Sequence, residues 1–153
     1  MKTMADLIRE HAFVAGMNEA QLETVAGCAK NVVFEPGAYI IREGQSADEF
    51  HLLRDGHVAL EIYSPRRGTH VLQTLGANEI LGASWIVPPY RWTSDARAVD
   101  RVRAFAFDAK CLRDKCEADP ALGYALMKRF VPILVDRMSA ARMQAMDLYG
   151  ARV

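Results

Sequence analysis

Residues 82 to 99, Gly-Ala-Ser-Trp-Ile-Val-Pro-Pro-Tyr-Arg-Trp-Thr-Ser-Asp-Ala-Arg-Ala-Val, hold both tryptophans of the chain, two adjacent prolines, a tyrosine and two arginines. A connecting segment is usually small and polar. Three readings are open from the residues: a ligand-holding cassette, a cassette that has lost its function, or a stiff apolar corner. Histidine chemistry is thinner. Metal sites on β-strands commonly use a His-x-His pair with a Glu nearby, because alternate positions share one face. Here His57-Val58-Ala59 with Glu61 is one histidine short, and His51 and His57 read as solvated strand positions. No metal site is expected. No Gly-x-Ser-x-Gly, Walker loop or His-Glu-x-x-His occurs, so no catalytic residue is assigned and no enzyme is expected. Cys28, Cys111 and Cys116 are odd in number and fit no zinc spacing, so they read as reduced, structural thiols.

The 153 residues suit one domain that buries roughly 70% of its unfolded surface. Lys plus Arg balances Asp plus Glu at 19 each, which removes the net field that draws a protein onto nucleic acid or an anionic membrane. The longest apolar run, Phe130 to Val135, is far short of the about twenty residues of a membrane span. The first residues, MKTMADLIREH, carry charge where a signal peptide needs an apolar core. No membrane partner and a cytoplasmic location are the expectations.

The elements that must position these residues follow from periodicity. Leu7, Ile8 and Phe13, then Met17, Leu22, Val25, Ala26 and Ala29, form helical stripes within residues 1–30, with Asn18 as N-cap of the second helix. Between 31 and 110 the runs VVFEPGAYIIREG, FHLLRDGHVALEIY, THVLQTL and VRAFAFD are short, β-branched or aromatic, and divided by glycine turns. Helical spacing returns over 111–150, with Asp119-Pro120 opening a long stretch that ends at Gly150. Pro132 inside that stretch predicts a kink or two consecutive helices. Leu134, Met138, Ala141, Ala145 and Leu148 alternate spacings of four and three, a seam that packs either on its own chain or against a second copy.

Phe34-Glu35-Pro36-Gly37, then Ile40-Ile41-Arg42-Glu43-Gly44-Gln45, then Ala47 through Val58 with Asp55-Gly56 at its turn, resembles the cyclic-nucleotide-binding domain family, which includes bacterial sensor domains. The resemblance covers roughly Met1 to Leu148. It implies a mainly β fold with flanking helices: an eight-stranded jelly-roll barrel holding a short helix, N-terminal helices, and a C-terminal helix pair. The cassette is expected at residues 81–94.

In the family this cassette reads Gly-Glu-Leu/Ile-Ala at a short helix, followed by Pro-Arg and small residues, and it grips a cyclic nucleotide. Carried over, Gly82, Ala83 and Ser84 offer the helix start to the cyclic phosphate, Arg91 its counter-charge and Thr93 or Ser94 a hydroxyl. Ala83 departs from the pattern, standing where the ribose-binding Glu would be. Trp85 and Trp92 either stack on a base or fill the pocket. Arg97 is expected on the strand leaving the cassette, paired with Asp95 or Asp100. No cofactor is implied beyond cyclic AMP or cyclic GMP as ligand. Transcription-factor relatives carry a helix-turn-helix after the dimer helix; none follows here, so nucleic acid is not an expected partner. The resemblance therefore implies a stand-alone regulatory domain that biases its C-terminal helix, with a homodimer or effector protein as partner. A relative that has lost nucleotide binding and serves as a dimerisation or interaction module is the alternative.

Overall fold

The structure, a computed structural model, describes residues 1–150, and the side chains of residues 1–147. Its elements run α1 (Met4–Arg9), α2 (Glu19–Ala26), β1 (Ala29–Phe34), β2 (Tyr39–Ile41), β3 (Glu49–Asp55), β4 (Val58–Ser64), β5 (Gly68–Leu75), β6 (Ile80–Leu81), β7 (Asp95–Ala98), β8 (Val102–Asp108), α3 (Ala109–Ala118) and α4 (Pro120–Gly150). One antiparallel sheet has the order β1-β8-β3-β6 and the other β2-β7-β4-β5. This is the strand order of a jelly roll drawn as two sheets.

Local chemistry explains most boundaries. Thr3 and Asn18 accept from the Asp6 and Gln21 amides and form capping boxes that start α1 and α2. Asp108 caps α3 through the Cys111 amide at 2.9 Å, and Asp119 accepts from Leu122 at the start of α4. Gly37, Gly44 and Gly56 turn the chain at φ between 84° and 88°, where L side chains are disfavoured. Strands β6 and β7 give no periodic signal for a physical reason, although Arg97 does lie on the strand leaving the cassette, as expected. The first has two residues, and the second, Asp-Ala-Arg-Ala, is held by pairing with β4 and β2 rather than by propensity.

The core has one centre of importance for the site. Phe50 of β3 stacks on Phe107 of β8 at 4.8 Å and on Trp85 at 4.5 Å, while Phe130 of α4 meets Phe50 and Trp85 edge-on. Strand, connecting segment and terminal helix are thereby locked together by buried aromatic area.

Four expectations are corrected here. Cys28 and Cys111 are not thiols but a disulfide across 83 residues, tying the start of β1 to the first turn of α3; Cys116 remains free. His51 is buried rather than solvated, because β3 is covered on both faces. Arg97 pairs with Glu61 and not with Asp95 or Asp100, since β4 and β7 are neighbours in register. Pro132 does not split the terminal stretch: α4 continues through it as one helix of 31 residues.

Candidate functional site

Strand β6 delivers the chain to Gly82, whose φ is 97° and whose missing side chain makes room for Trp92. A Cβ here would sit 2.6 Å from the Trp92 ring, so glycine is required both by backbone conformation and by contact. Residues Ser84–Ile86 then make one short helical turn. Trp85 turns inward, and its carbonyl accepts from Arg113 of α3 at 2.6 Å, while the Arg113 guanidinium lies 4.2 Å over the Tyr90 ring.

The returning half of the cassette is laced to the 44–47 loop. Ala47 N–H donates to the Tyr90 carbonyl at 2.7 Å, Trp92 N–H to Gln45 at 3.0 Å, and Gly44 N–H to Trp92 at 2.9 Å. These backbone bonds fix the direction of Arg91. Its side chain is exposed and donates from Nη1 to the Gly44 carbonyl at 2.9 Å.

Between the cassette, the sheet of β2, β4 and β5, and the face of α4 lies a cavity of about 270 Å³. Gly82, Ala83, Ser84, Trp92, Thr93 and Ser94 line one side of it, Ile41, Leu60, Leu72 and Gln73 another, and Leu134, Arg137, Ala140, Ala141 and Gln144 the helix side. Helix α4 is bonded across this opening. Arg137 donates to the Ile80 carbonyl, and Gln144 Nε2 donates to the Leu72 carbonyl at 2.6 Å. Burial pushes the Arg137 guanidinium down from its ordinary pKa, opposed by Glu79. A wider open hollow of about 610 Å³ borders the disulfide, and two lysines, Lys30 and Lys110, face three carboxylates there, Asp48, Glu49 and Asp108.

Gly82, Ala83, Ser84, Trp92 and Thr93 thus meet around one cavity, together with Leu134 and Ala141 of the seam. Arg91 and Trp85 do not. Arg91 lies outside the cavity lining, with its side chain bonded to the neighbouring loop. Trp85 has no exposed surface and lies on Phe50, so it fills the core and offers no base platform. Met138 and Ala145 face away from the cavity and are exposed, and the Leu148 side chain lies outside the described residues. Sequence reasoning missed Arg137 and Gln144. Their signal was present: two polar residues seven apart, interrupting the apolar positions of the same helix.

Residues 31–119, more than half of the chain, match the model of the family described as the cyclic nucleotide-binding domain. A solved structure of a provisionally named cyclic nucleotide-binding protein from Geobacter metallireducens GS-15 is 30% identical, covers 88% of this chain and 97% of its own, and superposes with a TM-score of 0.78. The chain belongs to the cyclic nucleotide-binding domain family. The sensor domain of the transcriptional regulator DNR from Pseudomonas aeruginosa shares the fold at a TM-score of 0.69 and 22% identity, over 87% of this chain and 89% of that one. Among curated proteins, the cAMP-dependent protein kinase regulatory subunit of Schizosaccharomyces pombe (strain 972 / ATCC 24843) is 22% identical over 102 residues. That match covers 67% of this chain but only 24% of the relative. No helix among the described residues is long and apolar enough to cross a membrane.

Proposed function

We propose that this chain is a regulatory sensor module in which an occupant of the cassette cavity biases the position of α4. The observation that carries this reading is that α4 is itself a wall of the cavity. A ligand can shift a helix only through different affinity for its two positions. Here any occupant that contacts Leu134, Arg137 or Gln144, or displaces their bonds to Ile80 and Leu72, has that differential contact built in. The family supplies cyclic AMP and cyclic GMP as the first ligands to try. The output surface is the opposite face of α4, where Tyr124, Met127, Val131, Val135, Met138 and Met146 are exposed. A second copy of the chain or an effector protein is the partner such a face would take, in the cytoplasm, with regulation rather than catalysis as the role.

The exposed stripe also supports a second reading, an interaction module that responds to no ligand. Calorimetric titration with both nucleotides, with amide hydrogen exchange along α4, separates the two. The sensor reading expects binding with altered exchange at residues 134–144. Binding without any change in α4 sinks it. Sedimentation of the wild type beside Met138→Glu tests the stripe, and a monomer in both removes the homodimer.

A further inference from the structure

Arg137 is the one ionisable side chain among the described residues lining the cassette cavity. Most of its neighbours there are apolar, and the carboxylate that acts on it, Glu79, has its Oε2 engaged by the Gly76 amide at 2.5 Å. A guanidinium presents five N–H donors in a planar fork, and a single one goes to the Ile80 carbonyl. The remaining N–H groups have no hydrogen-bond partner among the described residues, and the side chain stands between this cavity and a second hollow of about 340 Å³ that Glu79 and Asp136 also line. Ser84 and Ser94 add hydroxyls to the lining, while Ala83 contributes no carboxylate to receive a sugar hydroxyl. At about 270 Å³ the space lies below the roughly 300–1,000 Å³ typical of cavities that enclose drug-sized ligands.

We infer that Arg137 of α4, rather than Arg91 of the cassette, is the anion-binding residue of this site, and that the site takes a compact organic anion with an apolar body. Carboxylate and phosphate monoester are the two head groups the fork would accept in bidentate fashion. The inference rests on the reading that the cassette cavity is the ligand site. Its consequence is direct coupling: the ligand competes with the Ile80 carbonyl for the side chain that clamps α4 over the sheet.

The test uses benzoate, phenyl phosphate and cyclic AMP as probes, with benzyl alcohol as the neutral counterpart, by calorimetry at millimolar concentrations. Wild type should bind at least one of the two compact acids at least tenfold more tightly than the alcohol. Arg137→Met should weaken that acid by about ten- to a hundredfold, the loss of a charged hydrogen-bonding partner, and Arg137→Lys should recover part of it. Binding of neither acid, equal binding of acid and alcohol, or a fall in affinity with Arg91→Ala but not with Arg137→Met overturns the assignment. If Arg137→Met fails to fold, Arg137→Lys and Arg91→Ala decide: weaker acid binding in the first with unchanged binding in the second supports the assignment, and the reverse overturns it. Hydrogen exchange along α4, followed in the same titrations, keeps the two ideas apart. Binding through Arg137 with unchanged α4 exchange preserves this inference and removes the sensor reading. Altered α4 exchange with cyclic AMP, independent of Arg137, does the reverse.

Discussion

Arg97 meets Glu61 through two parallel hydrogen bonds, Nε to Oε1 at 3.1 Å and Nη2 to Oε2 at 3.0 Å, across the β7–β4 pair. Glu61 is only 2% exposed, so this bidentate pair is what makes a carboxylate tolerable inside the sheet. Breaking such a pair is harsher than replacing it, because a lone buried charge remains. Arg97→Met should therefore destabilise more than the double change Arg97→Met with Glu61→Leu. A denaturant-unfolding cycle in which the double variant is the less stable of the two contradicts this account.

Gly82 and Gly37 share a positive φ but differ in surroundings. A Cβ on Gly37 meets nothing within 4 Å, whereas one on Gly82 strikes the Trp92 ring. Gly37→Ala should cost about 1 kcal/mol in backbone strain alone, and Gly82→Ala a further 1–3 kcal/mol, roughly, for overpacking. For a chain of this size each kcal/mol lowers Tm by about 2–4 °C. Equal melting temperatures for the two variants would show that Trp92 yields freely.

Stability should fall in acid through His51. Burial lowers its pKa from 6.5 to about 4, and its Nδ1 has no partner among the described residues. The unfolded chain takes up a proton near 6.5 and the folded chain only near 4, so stability rises with pH across that window and is lost as pH drops through it. The full difference is about 3 kcal/mol. His11 acts in the same direction. Its Nδ1 accepts from Phe13 N–H, its Nε2 lies 3.0 Å from the Leu53 carbonyl, and burial lowers its pKa. His57 opposes both, since Asp100 raises its pKa and its contribution fades as pH climbs. Unfolding curves for His51→Leu between pH 6.5 and 4 should be markedly flatter than wild type; identical slopes exclude His51 as the main acid sensor.

The Cys28–Cys111 bond closes a long loop, which the chain-entropy account values at about 4–5 kcal/mol. Oxidised protein, denatured without reductant, should release one thiol, Cys116, to a colorimetric reagent. Cys28→Ser should lower the denaturant midpoint of oxidised protein and leave that of reduced protein nearly in place. Three thiols in the oxidised sample would remove the bridge.

Much of this protein was legible along the chain because the responsible physics is local. Asn18 and Asp119 mark helix starts with their own side chains, Gly37, Gly44 and Gly56 mark turns with backbone freedom, and the short glycine-divided runs announce an all-β middle, in which the family resemblance places the cassette at residues 81–94. What the cassette can hold was not local. Whether Arg91 or Arg137 faces the cavity depends on where loop 44–47 and α4 lie, and whether Trp85 stacks on a ligand or on Phe50 depends on strands thirty residues and more apart in sequence. The same holds for the burial of His51, the partner of Arg97 and the pairing of Cys28 with Cys111. Side-chain type and spacing set which elements form; the direction of a charge or ring is set by the surfaces those elements bury against one another, and that became readable only in three dimensions.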